Sequence, residues 1–321
     1  MSVTIVIGGQ YGGEGKGKVT YCIAKEKDIK ITVRVGGTNS GHTVVDDNDN
    51  EYILRQLPTT SILKDSISVL SAGSYIDLDI LKKEIKLTGI KEEQLLIDQN
   101  AMIITEEDKI NEANNNLRLT IGSTLSGTGE SVIRRINRSK TTLLAKDIYE
   151  LKPFLIDSKK FLYEQIQKKQ KIIIEGTQGF GLSLLHSSNY PYCTSRDTTA
   201  ASFLAETGLS PFDVEDIILT IRTFPIRVEG NSGELKNEMN WESVKQLPEF
   251  TSVTKKIRRV AKFDPDIVRN AIMSNRPTKI VLNHLDYIEK DKHKEFITEI
   301  ENYINHKIDY IGIDKKCILK I

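Results

Sequence analysis

Glycines and lysines crowd the run Gly8-Gly9-Gln10-Tyr11-Gly12-Gly13-Glu14-Gly15-Lys16-Gly17-Lys18. Glycines let a backbone turn tightly and bring its N–H groups close to phosphate oxygens. Lys16 and Lys18 add point charges, and a helix opening at this point adds the positive end of its dipole. Gly12 to Lys18 fits G-x-x-x-x-G-K, with Val19 where a phosphate loop has Ser or Thr. A flexible glycine turn with solvated lysines is the competing reading. A second glycine-bearing loop, Gly36-Gly37-Thr38-Asn39-Ser40-Gly41-His42-Thr43, carries a histidine. An imidazole titrates near neutral pH and suits general acid work. The stretch Ile121-Gly122-Ser123-Thr124-Leu125-Ser126-Gly127-Thr128-Gly129 offers small hydroxyls and backbone amides, and reads equally as a surface loop. Thr251-Ser252-Val253-Thr254-Lys255-Lys256-Ile257-Arg258-Arg259 joins hydroxyls to arginine forks, a set that suits carboxylates. Taken alone, that run is a solvated charged face.

Such loops need a scaffold. Short β-branched runs read as buried strands at Val3 to Ile7, Ile31 to Val35, Ser68 to Leu70, Ile172 to Ile174, Ile217 to Ile221 and Lys279 to Leu282. Mixed-charge helical stretches such as Asp157 to Lys168 lie between them. The alternation predicts an α/β fold with a mostly parallel central sheet covered by helices on both faces. Ligands gather at the carboxyl ends of the strands in such sheets, and the loops Gly8 to Lys18, Gly36 to His42 and Glu175 to Gly181 all follow strands. Asn111 to Asn116 reads as a solvated turn. The part from about Lys290 reads as an amphipathic helix and a closing strand, with no chemistry. No repeat or long linker divides the 321 residues, so one domain over 1–321 is expected.

The bulk numbers narrow the partners. With 45 basic and 44 acidic residues the net charge is +1, so nothing argues for a nucleic-acid groove or a membrane surface, and any anion site must be local. Three widely spaced cysteines (Cys22, Cys193, Cys317) suggest neither a disulfide framework nor a zinc cluster, and fit a reducing cytosol, a host's if a phage encodes the chain. The first residues lack the basic flank and apolar core of a signal peptide, and no apolar run reaches the roughly 20 residues that span a bilayer.

Seven segments, in order over residues 1 to 290, resemble the adenylosuccinate synthetases. The first loop is similar to G-Q-W-G-D-E-G-K-G-K, with Tyr11 for Trp and Gly13 for Asp. The second is similar to G-G-x-N-A-G-H-T, and 121–129 to I-G-T-T-G-R-G-I-G. Glu175-Gly176-Thr177-Gln178-Gly179 matches E-G-A-Q-G, and Tyr190-Pro191-Tyr192-Cys193-Thr194-Ser195 resembles Y-P-Y-V-T-S. The 251–259 run resembles T-T-G-R-P-R-R, and more closely the T-K-K-V-R-R of short archaeal members. Asn283-His284-Leu285-Asp286 resembles T-K-L-D. The resemblance implies a phosphate-loop-NTPase-like adenylosuccinate synthetase fold and a ligase joining aspartate to a purine nucleotide. It implies that Lys16, His42 and Gln178 are catalytic. A nucleoside triphosphate, ATP or GTP, would lie on Gly12, Gly13, Glu14, Gly15, Lys16, Gly17, Lys18, Gly41, His42, Thr43, Asn283 and Asp286. The purine nucleotide would meet Asn39, Ser123, Thr124, Gln178, Thr194 and Arg138, the last reaching across a homodimer. Aspartate would meet Ser252, Val253, Thr254 and Arg258. Mg²⁺ would take backbone carbonyls of Gly13 and Gly41.

Gly13 is the departure that matters. In the family the aspartate there is the base at N1 of the purine and a magnesium ligand; glycine supplies no side chain for either task. The 2-aminoadenylosuccinate synthetases of phages also carry a small residue there, use dGMP, and are associated with ATP. Gly13, and His284 in place of the usual lysine, imply the same for this chain, with room vacated beside the purine edge for a 2-amino group. An ordinary adenylosuccinate synthetase acting on IMP, with a substitute base, is the alternative. A nucleotide-binding protein without catalysis is the third reading.

Overall fold

The computed structural model describes residues 2–140, 142–251 and 254–321. Ten strands form one sheet: β1 (Val3–Gly8), β2 (Ile31–Arg34), β3 (Ile67–Leu70), β4 (Leu95–Asp98), β5 (Leu155–Ile156), β6 (Ile172–Glu175), β7 (Val214–Arg222), β8 (Lys279–Asn283), β9 (Tyr310–Ile311) and β10 (Leu319–Lys320). Their spatial order is β10-β9-β8-β7-β1-β6-β2-β3-β4-β5. Every pairing is parallel except the terminal β9–β10 pair. The six expected strands all form, within a few residues of their expected ends.

β1 sits near the middle, with Ile5 opposite Ile174 of β6 on one side and Ile217 of β7 on the other. All six of its residues are buried. Its side chains alternate between two apolar layers, as the period of a strand requires. Val3, Ile5 and Ile7 join one cluster with Phe203, Val268 and Ile300, which lie on α7 (Ala200–Thr207), α9 (Pro265–Asn275) and α10 (His293–Ile304). Val6 joins the opposite cluster with Val19 and Ile23 of α1 (Lys16–Glu26). Helices therefore cover both faces, as the alternation predicted.

Two local expectations need correction. Asn111 to Asn114 belong to α3 (Glu106–Asn114) rather than a turn; Thr105 caps that helix, and only Asn115 and Asn116 leave it. The helix runs on because Glu112 is buried and its carboxylate accepts the Gly127 and Gly129 amides, which outweighs the weak helix propensity of asparagine. The C-terminal part has the expected helix and closing strands, but it also packs against the first loop: Lys18 Nζ donates to the Asp314 carbonyl at 2.7 Å.

Candidate functional site

The first loop leaves the carboxyl end of β1 and turns into α1 at Gly15. Gly15 has φ +84, and a Cβ there would stand 2.8 Å from Asn283 Nδ2, so only glycine fits without displacement. No side chain caps α1, leaving its N-terminal amides open toward the loop. Glu14 is fully buried and organises the turn. Its Oε1 accepts from Gln10 N at 3.1 Å and Gly12 N at 2.8 Å, and its Oε2 pairs with Lys16 Nζ at 2.7 Å. Asn283, at the end of β8, donates to the Glu14 carbonyl at 2.7 Å, and its Oδ1 is buried without a partner among the described residues.

His42 is brought against this loop: a Cβ on Gly17 would lie 2.8 Å from His42 Cβ. Behind it stands a buried polar network absent from the sequence reading. His42 Nδ1 lies 2.5 Å from Glu175 Oε1, and Arg34 Nη1 lies 2.5 Å from the same oxygen. Thr59 donates its backbone N–H to Glu175 Oε2 at 2.9 Å, and its hydroxyl lies 2.7 Å from that oxygen. Burial alone would raise the Glu175 carboxyl, but the Arg34 guanidinium and the His42 hydrogen bond bring it down to about 2. Arg34 Nη1 also lies against His42 Nδ1; in the tautomer that donates Nδ1–H to an ionised Glu175, Nε2 is the acceptor. That Nε2 is buried and has no hydrogen-bond partner among the described residues. Burial and Arg34 push the histidine down to about 3. The expectation of a histidine titrating near neutrality is thus corrected for the ligand-free protein.

The other motif segments close around the same loops. Asn39 Nδ2 donates to Thr194 Oγ1 at 3.2 Å. Thr128 stands 2.7 Å from where a Cβ on Gly37 would be, which seats the 122–129 stretch on the second loop. Gln178, with φ +63, turns the chain after β6, and its carbonyl lies 2.8 Å from where a Cβ on Gly8 would be. Ser123 and Thr124 bond within their own stretch, to Leu125 N and Ser126 Oγ. Thr254 Oγ1 lies 2.6 Å from Thr251 Oγ1. Ser252 and Val253 lie outside the described residues. Burial lowers the Arg258 pKa, and its charged neighbours are Glu249, Arg222 and Glu14, which puts it beside the first loop.

Three expected residues have exposed side chains. Thr43 is exposed, on the opposite face of its hairpin strand (His42–Val45) from buried His42. Asp286 is exposed, with Lys18 and Asp314 as charged neighbours. Arg138 is exposed just past α5 (Thr128–Ile136).

Gly13 differs from the sequence reading in two ways. Its carbonyl accepts from Arg222 Nη1 at 2.9 Å, and the half-buried His284 ring also hydrogen-bonds it, so it is not presented to a metal. A Cβ there would come within 2.6 Å of Ile226 Cδ1 and 3.3 Å of Arg222 Nη1. The room that the missing side chain would leave is therefore filled by these neighbours rather than vacated. Gly41 is partly exposed beside His42. Among the described residues no group of three His, Cys, Asp or Glu side chains is placed to hold a metal. Magnesium prefers oxygen ligands and often sits on substrate phosphates. The residues present fit an ion carried on a triphosphate, not one caged by protein.

Reasoning from sequence missed Arg34, Thr59, Arg222, Glu249 and the Gly312–Asp314 segment. None carries a local signature; topology alone brings them to the loops. A Cβ on Gly312 would meet Asn283 Oδ1 and Lys18 Nζ, an apposition across almost the whole chain length. No helix among the described residues is long and apolar enough to cross a membrane.

Comparison with known proteins gives the family and the fold. The family model for adenylosuccinate synthetase matches residues 5–149 and 140–294. The adenylosuccinate synthetase of Methanocaldococcus jannaschii is 37% identical over 320 residues, covering 94% of this chain and 91% of that protein. That of Methanococcus aeolicus is 36% identical over 300 residues, covering 91% and 87%. Among solved structures, the cyanophage S-2L succinoaminodeoxyadenylate synthetase PurZ, bound to dGMP and to dATP as energy donor, superposes with a TM-score of 0.88 at 27% identity, over 99% of this chain and 95% of that one. The fully ligated adenylosuccinate synthetase of Plasmodium falciparum shares the fold, with a TM-score of 0.88 at 20% identity over all of both chains. By fold, by the convergence of its loops and by these matches, the chain belongs to the adenylosuccinate synthetase family, C–N bond-forming ligases that join aspartate to a purine nucleotide.

Proposed function

We propose that this ligase acts on dGMP, giving N6-succino-2-amino-2′-deoxyadenylate, as the phage branch of the family does. The observation that carries the reading is the glycine at position 13, where the family's purine base catalyst is an aspartate. The two carboxylates bonded at this loop, Glu14 and Glu249, are both engaged. Glu14 is committed to Lys16 and two backbone amides. Glu249 is committed to Arg222 and Tyr287. Likeness to PurZ, which binds dGMP, supports the same reading. The names of the archaeal relatives favour the second one, IMP as substrate.

In this reading the amides of Gly13 to Lys16 and the Lys16 ammonium hold the donor's phosphates at the N-terminus of α1, while the Gly12 amide stays on Glu14 and shapes the turn. His42 Nε2 stands where the γ-phosphoryl group passes to O6 of the purine, and the arriving charge favours its protonated form. Glu175 keeps the ring oriented through Nδ1. The purine nucleotide lies against Asn39, Ser123, Thr124, Gln178 and Thr194. Thr254 and Arg258, with Ser252 and Val253 of the same loop, receive aspartate, whose amine then displaces the phosphate from C6. Asn283 and Asp286 flank the donor base. Magnesium bound with the triphosphate would supply charge neutralisation along its oxygens. The N1 proton goes to water, a substrate phosphate or His42. The active unit is a homodimer in which Arg138 reaches the neighbouring site. Phosphate release with Mg²⁺ and aspartate, crossing dGMP, GMP, dIMP and IMP against ATP and GTP, tests this. Turnover of dGMP well above IMP is expected; turnover of IMP without dGMP overturns the reading.

A further inference from the structure

Arg222 ends β7, and its side chain is fully buried. Its backbone is gripped by the first loop: Gln10 Oε1 accepts from Arg222 N at 2.9 Å, and Gln10 Nε2 donates to Arg222 O at 3.1 Å. Its guanidinium spans two loops. Nη1 donates to the Gly13 carbonyl at 2.9 Å and to Glu249 Oε2 at 3.2 Å, while Nη2 pairs with Glu249 Oε1. Tyr287 Oη donates to the same Glu249 oxygen at 2.8 Å. Glu249 in turn holds Arg258, because its carbonyl accepts from Arg258 N at 2.8 Å. One buried cation therefore links a peptide of the phosphate loop to the anchor of the loop that holds Arg258.

We propose that Arg222 and Glu249 are positioning residues that couple donor binding to aspartate binding. A peptide is planar, so fixing the Gly13 carbonyl on Arg222 turns the Glu14 N–H to the opposite side. A phosphate that selects one orientation of this peptide selects one position of Arg222. Arg222 passes that choice to Glu249 by a two-point fork, which transmits direction as well as charge. Glu249 then fixes the register of Arg258. Coupling of this kind is reciprocal: each ligand tightens the other by the same factor. The inference rests on the ligase reaction common to both purine readings, not on the choice of purine.

The test is calorimetric titration of L-aspartate into the full chain, with and without the β,γ-imido analogue of ATP, in the presence of dGMP and again of IMP. The wild-type protein is expected to bind aspartate at least about 5-fold more tightly with the analogue, the lower end of ordinary coupling. Glu249→Gln keeps the shape and removes the charge, and is expected to bring the factor close to one; Tyr287→Phe, which takes one donor from Glu249, reduces it partly. A merely structural pair would lower the melting temperature and leave the factor unchanged. If Glu249→Gln fails to fold, Tyr287→Phe carries the comparison. Equal aspartate affinity with and without the analogue in the wild type, or a factor that survives both substitutions, overturns the proposal. Heats with IMP alone would sink the dGMP reading and leave the coupling standing.

Discussion

At the scale of single residues, the site depends on buried charges that cannot be removed one at a time. Glu14 and Lys16 are both buried and face each other at 2.7 Å. Breaking a buried pair from one side leaves the other charge uncompensated, at a cost of about 3–5 kcal/mol. Glu14→Ala also frees the Gln10 and Gly12 amides, so denaturant unfolding is expected to show a loss in that range, with donor binding lost too. Gly13→Asp poses a different question. Its φ of +72 is tolerated by aspartate better than by most residues, but its Cβ would press on the end of Ile226. Gly13→Asp alone is therefore expected to fold with a penalty of about 1–2 kcal/mol and little IMP turnover. Pairing it with Ile226→Val, which removes the offending methyl, should recover the stability and give higher IMP turnover than either single change. An additive double mutant in both measurements would show that Ile226 does not control this position.

Elements show how much the sequence could reveal and where it stopped. The strands were legible because each is a short run of β-branched residues buried on both faces. The glycine loops were legible because their conformations exclude side chains, Gly15 being the clearest instance. The Arg34–Glu175–His42 network was not, since it joins the ends of β2 and β6 with the start of a hairpin strand, and only the parallel pairing of Arg34 with Glu175 makes them neighbours. This network also sets an acid limit on the fold. His42 has a folded pKa below its unfolded one, so the unfolded chain binds more protons between about 6.5 and about 3. Stability is complete above the unfolded value and falls as the pH drops through that window. Glu175 is lowered as well, so its contribution is present above about 4.5 and is lost as pH falls toward about 2. Urea midpoints should therefore decline from pH 7 to pH 4, and His42→Asn should flatten the part between pH 6.5 and 4.5. An unchanged slope in that variant would mean that His42 is not buried neutral.

On the scale of the whole molecule, one chain holds the phosphate loops, and Arg138 is exposed. It stands in solvent beyond α5, whose Ile133 and Ile136 are 52% and 68% exposed. An exposed apolar edge beside an arginine suits contact between copies, and two-fold dimers use one patch twice. If each site needs Lys16 from its own chain and Arg138 from its partner, two inactive variants can repair each other. Lys16→Met spoils only the site on its own chain, and Arg138→Ala only the site on the partner. Equal mixing with subunit exchange makes about half the dimers mixed, each with one intact site, so about a quarter of wild-type activity should return. Activity that stays at the level of the two variants assayed apart would show that Arg138 serves its own chain or none. A chain that remains monomeric at assay concentrations, yet turns over substrate, would remove the second subunit from the site altogether.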